Sequence, residues 1–183
     1  MASVLGHRLF EDVSEPAREA TADAYASFYN SDRESFPEHA SSIEHQERLA
    51  DSYPIHPTVI DTLTEELDSL PSFQKTRGAL RLLSRGIHQL WNSENREDER
   101  HYVRLFDLHP SDSDVFTTLL RLFSSVDMDF EAAIKNDIYS DDGTAHAEEE
   151  DRKWTTKGHP PLGTHLTTTI LWKSIVKGAD GRG

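Results

Sequence analysis

The stretch "SFQKTRGALRLLSRGIHQLW", Ser72 to Trp91, decides how the chain is read. Pro71 ends whatever precedes it, and the run that follows repeats its apolar residues at helical spacing, which predicts a helix over about Phe73 to Trp91. Leu80, Leu83, Ile87, Leu90 and Trp91 are expected to line its apolar side. At about 100° per residue, Arg77, Arg81, Arg85 and His88 share a second, narrow stripe. This basic edge stands out because no Asp or Glu occurs between Ser69 and Ser93. Four of the 19 basic residues, Lys75, Arg77, Arg81 and Arg85, fall in that window, and none of the 33 acidic ones does.

Elsewhere the chain is acidic, with a formal net charge of -14 over 183 residues. Arg outnumbers Lys, and the acids are scattered rather than gathered in one block. Such a surface suits a salt-rich cytoplasm, where a Debye length of about 3 Å at 1 M salt screens self-repulsion, so a halophilic host is expected. Net charge argues against general nucleic-acid affinity. The length suits one domain with a real core. Without cysteine there are no disulfides, no thiolate metal site and no cysteine nucleophile. No segment approaches the ~20 apolar residues that span a membrane, and "MASVLGHRLF" has no signal-peptide core, so a cytoplasmic protein without membrane partners is the expectation.

Outward from the central stretch the pattern stays helical. Ser14 caps a helix from about Glu15 to Asn30, with Pro16 in the tolerated first turn. A second helix is expected over Ser42 to Ser52. "YPIHP" then turns the chain, and Pro57 opens a third helix to Ser69, with Ile60, Leu63 and Leu67 on one face. "YVRLFDLHP" reads as a short strand or extended connector. "SDSD" caps a helix carrying Phe116, Leu119, Leu120 and Phe123, and Phe130, Ile134 and Ile138 mark a further one. Residues 140–163 read as a polar, mobile loop. The Thr- and Ile-rich run after Thr164 fits strand or helix, with helix preferred. The expected organisation is a helical domain over 1–139, the loop, and a C-terminal helical segment over 164–183. The fold class is mostly α, an irregular helical bundle with at most one or two short strands.

The familiar catalytic signatures are missing. There is no G-x-x-x-x-G-K-[ST] phosphate loop, no apolar run ending in a magnesium-binding Asp-Glu, no G-x-S-x-G, no H-E-x-x-H and no calcium loop. The chain by itself is therefore not expected to hydrolyse ATP, and no catalytic residue is assigned. The ten histidines show no convergent metal spacing, so no metal site is expected either. His56, between two prolines, reads as a local cap or packing residue.

The basic edge admits two readings. One is a solvated helix face whose arginines pair with nearby carboxylates, each exposed pair worth roughly 0–1 kcal/mol. The other is an anion site, where an Arg beside a phosphate contributes about 1.5–3 kcal/mol per charge-assisted hydrogen bond. Residue types alone favour the first. Gly78 favours the second, since a glycine near a helix start costs up to about 1 kcal/mol against Ala unless something approaches closely.

The block Tyr53 to Trp91, with its "YPIHP", "FQKTRGALRLL" and "LW", resembles the Y-P-[FIL]-H-P…F-Q-[RK]-T-R-G-x-L-R-L-L…L-W signature of a family of large AAA+-type ATPases of formerly unknown function. Members of that family lie beside DNA methyltransferases and helicases in prokaryotic phage-defence clusters. "HRLFEDV" (His7 to Val13), Asn136-Asp137-Ile138 and "HLTTTILWKSI" (His165 to Ile175) resemble further family blocks in the same order. The resemblance implies an AAA+ lid region, in which G-x-x-R at a helix start serves as sensor 2. It assigns Arg81 as the phosphate-contacting arginine and Arg77 as the second candidate, with Lys75, Gly78 and Arg85 as supporting basic face and close approach. It implies ATP as ligand only together with a nucleotide-binding core, and as partners that ATPase core and DNA-modification or helicase proteins. Because the family's phosphate loop and magnesium-binding acids are missing here, the chain is expected to be a middle piece of such an enzyme. The rival expectation is a non-catalytic helical module that docks an acidic partner or nucleic acid through Arg77, Arg81 and Arg85.

Overall fold

The computed structural model describes residues 8–67, 75–92, 102–124 and 129–179. Eight α-helices carry the described residues: α1 (Glu15–Ser31), α2 (Ile43–Ser52), α3 (Pro57–Asp61), α4 (Lys75–Asn92), α5 (Ser113–Phe123), α6 (Phe130–Asp137), α7 (His146–Thr155) and α8 (Leu162–Ala179). Among these residues there is no strand, only an isolated parallel bridge between Ile55 and Val103. The mostly helical expectation holds. The chain divides into two compact units, one of residues 1–61 with 97–104 and the other of 62–96 with 105–183.

Ser14 caps its helix as the sequence implies, and Ser42, read as the first residue of the second helix, is its cap. Ser14 accepts from the backbone N–H of Ala17 to start α1, and Ser42 from that of His45 to start α2. In the first unit, Ala22, Leu49 and Tyr102 form a buried cluster against which Tyr25, Tyr29, Ala50 and Tyr53 pack. The Tyr102 ring meets Tyr25 edge-on at 4.9 Å, and its hydroxyl donates to the carbonyl of Leu49 at 3.0 Å. "YVRLFDLHP" contributes only one residue of extended pairing. Val103 donates to Pro54 O and accepts from His56 N, after which the chain tightens into a 3-10 turn at Leu105–Asp107.

The third predicted helix is correct at its start and changes character midway. α3 passes at Thr62 into a π-helical turn, Thr62–Glu66, and the expected end at Ser69 lies outside the described residues. Ile60, Leu63 and Leu67 are all buried.

The second unit is held by the turn at Leu105–Leu108. Trp172 of α8 is wholly buried, and its indole N–H donates to the carbonyl of Leu108 at 2.9 Å. On the other side α4 approaches so closely that a Cβ on Gly86 would stand 2.6 Å from Leu108 Cδ2 and 3.2 Å from Asp107 O. That contact sets the rotation of α4. Its buried residues are Ala79, Leu82, Leu83 and Gly86, whereas Leu80, Ile87 and Leu90 are half-buried and Trp91 is 71% exposed. The apolar side is thus turned by about 80° from the one the leucines suggest, because small residues at positions 79 and 86 let the helix backbone come close.

The segment 140–163, expected as a loop, contains the ten residues of α7. Its charges were a helix signal: Glu148 and Glu149 lie in the first turn, Arg152 and Lys153 in the last, each complementing the helix dipole. The Glu148 carboxylate also reaches back to the backbone N–H groups of Ser140 and Ala145, fixing the entry. α7 in turn starts α8. Asp151, 5% exposed, accepts from the backbone N–H groups of Gly163 and Thr164 at 2.6 and 2.8 Å and from the Thr164 hydroxyl. The run after Thr164 is helical, as preferred.

Two substitutions test this packing. Gly86→Ala should cost about 1–3 kcal/mol, because a fully buried Leu108 side chain must move to admit the methyl. Asp151→Ala should cost about 2 kcal/mol by leaving the first N–H groups of α8 without their acceptor. Urea unfolding of each variant measures both.

Candidate functional site: the basic edge of α4

Rotation about the Gly86 contact leaves Arg77, Arg81, Arg85 and His88 exposed on the edge of α4 facing away from Ala79, Leu82 and Leu83. The structure therefore brings the predicted arginines onto one edge, and it adds a residue the sequence did not single out. Asp114, in the first turn of α5, lies between two of them. Its Oδ1 is 3.2 Å from a terminal nitrogen of Arg81, and its Oδ2 pairs with Arg85. Each carboxylate oxygen serves a different guanidinium, so Asp114 bridges the pair rather than gripping one arginine with both oxygens. Two positive charges share one negative charge.

The three groups are accessible, with side-chain exposures of 57% for Arg81, 45% for Arg85 and 30% for Asp114. Arg77 is exposed one turn nearer the helix start, with no ion-pair partner among the described residues. Gly78 is half-buried in the first turn. Lys75 opens the helix, and its side chain lies outside the described residues.

Asp114 can serve the arginines because it is not needed as a cap. In "SDSD" the N-cap is Asp112, which accepts from the backbone N–H groups of Asp114 and Val115 at 2.9 and 3.0 Å. The acids read together as a cap thus divide the work. The sequence held a weak pointer, one acid more than a cap requires, but nothing in it connects residue 114 to residues 81 and 85.

One turn further along α4 the contact with the α5 entry continues in neutral groups. Gln89 donates to the Ser111 hydroxyl at 3.3 Å. His109 Nδ1 accepts from the Ser111 backbone N–H at 3.2 Å and lies 2.9 Å from its hydroxyl, which places the ring proton on Nε2. Burial, with a smaller contribution from nearby His165, lowers the His109 pKa to about 4, so the ring is neutral. Gln89 Oε1 and His109 Nε2 are buried without a hydrogen-bond partner among the described residues.

Three further described histidines have defined contacts. His56 Nδ1 accepts from the backbone N–H of Thr58 at the start of α3, a cap rather than a catalytic base, and burial lowers its pKa to about 4. His146 pairs with Asp137 at 3.0 Å, and His165, on α8, stacks on Phe106 at 3.9 Å. Among the described residues no group of three His, Cys, Asp or Glu side chains could hold a metal ion, and no helix is long and apolar enough to cross a membrane.

The chain matches the family described as "DUF499 second domain" over residues 1–180. No curated protein and no solved structure matches it.

The two buried neutral histidines make stability depend on pH. Between the ordinary value of 6.5 and about 4, the unfolded chain takes up protons that folded His56 and His109 refuse. Stability should fall as pH drops from 7 to 5, by about 1–2 kcal/mol for each histidine. Urea unfolding at both pH values measures the fall, and His109→Gln should make it smaller.

Proposed function

The chain belongs to the DUF499 second-domain family, and from the basic edge of α4 we propose that it is a helical lid that works beside a nucleotide-binding core. Arg81 makes the contact to the terminal phosphate of ATP, with Arg77 as second contact. One observation carries the reading: Arg81 and Arg85 are gathered at an exposed helix edge by a single carboxylate that neutralises only half of their charge. An oxyanion brought to that edge meets planar donors already oriented, where each charge-assisted hydrogen bond contributes about 1.5–3 kcal/mol.

Three features support it. The sequence block around Arg81 is the one that resembles an AAA+ lid with a sensor arginine. The family description calls the segment a second domain, which suits a part that acts next to another. The edge also offers a route for coupling, because Arg81 is tied to α5 through Asp114 and α4 is seated on the Leu105–Leu108 turn through Gly86. ATP supplies the phosphate charge that the lid reads; this chain supplies binding and positioning, and hydrolysis belongs to the core. The setting in phage defence or DNA processing rests on the same resemblance.

The test is ATP turnover by a family ATPase core with and without this chain, at high salt. Adding the chain should change turnover, and Arg81→Ala should remove at least about tenfold of that effect. Turnover indifferent to the chain, combined with partner binding that weakens with salt and ignores ATP, would instead make the edge a docking surface for an acidic partner or nucleic acid.

A further inference from the structure

We infer that Asp114 is an internal latch on the arginine pair, occupying the place of a phosphate oxyanion until one displaces it. This deepens the lid reading and rests on it, since the latch regulates the same Arg81 site. Its two oxygens lie against two different guanidiniums, the arrangement two oxygens of a terminal phosphate would adopt between Arg81 and Arg85. The charges favour the exchange. Two arginines one helical turn apart repel each other, and Asp114 offsets that repulsion with a single negative charge. A terminal phosphate carrying nearly two charges would neutralise the pair fully.

Release is also built into the location of Asp114. It lies in the first turn of α5, where a carboxylate is favoured by the helix dipole whether or not an arginine is near. The helix start does not depend on it, because Asp112 holds the cap. Displaced from the arginines, Asp114 keeps a favourable site, and α5 keeps its start. An acid that is partly exposed, not needed as a cap and bridging two cations can therefore leave without unfolding anything. The ligand class is a polyphosphate terminus, and the resting state is self-occupied.

The experiment titrates the whole chain with inorganic triphosphate by calorimetry. Asp114→Asn, which keeps the shape and removes the charge, should bind about three- to tenfold more tightly than the unsubstituted chain, and Arg81→Ala added to it should cancel the gain. Asp114→Glu retains a carboxylate and should show no gain. Thermal unfolding checks that each variant is folded, and Asp114→Ser replaces Asn if the latter is not. Equal or weaker binding by folded Asp114→Asn overturns the latch, as does a gain that survives Arg81→Ala. The lid reading fails separately, on turnover. If Arg81→Ala abolishes the chain's effect on the core while Asp114→Asn binds triphosphate no better, the latch alone is lost.

Discussion

Gly86 has no room for a side chain, and much of the second unit follows from that. Where α4 crosses the Leu105–Leu108 turn, its backbone comes within reach of the Leu108 side chain and the Asp107 carbonyl. The same turn receives the indole N–H of Trp172 from α8, and Phe106 within it stacks on His165. One short turn thus seats the first and last helices of the unit. Pinning α4 at Gly86 also fixes its phase, so the arginines emerge on the far edge and meet α5 at Asp114.

Carboxylates do three different tasks at helix starts in this chain. Asp112 caps its own helix, Asp151 caps the next helix from a neighbouring one, and Asp114 leaves capping aside to hold arginines. The distinction is one of burial. Asp151 is enclosed and bonded by three donors, so it is structural; Asp114 is partly exposed and shares its oxygens between two exposed arginine side chains, so it can exchange partners. In a chain with 33 acids, composition makes every one of these look like surface charge.

The two histidines lowered to about 4 have a common cause, burial of a ring that already uses Nδ1 as an acceptor. His56 spends it on Thr58 and His109 on Ser111, each closing a tight local turn. Neither ring is poised for proton transfer near neutrality. His56 bonds the first turn of α3, and His109 closes the turn ahead of α5, where Ser111 also meets Gln89.

By itself the sequence determined what is local. Apolar spacing, Ser14, Ser42 and Pro57 marked helices close to where they form, and the acid-free window already separated a basic edge on α4. α7 was legible too, in the acids at its start and bases at its end, although the surrounding polar residues masked it as loop. Only the tertiary structure decided which side of α4 is buried, because leucine positions gave one answer and the close approach at Gly86 another. It alone chose Asp114 among so many acids, and it alone buried Asp151. The physical reason is separation along the chain: periodicity and capping act over one or two turns, whereas the contacts of Gly86 with Leu108, of Arg81 with Asp114 and of Trp172 with Leu108 join residues that only folding brings together.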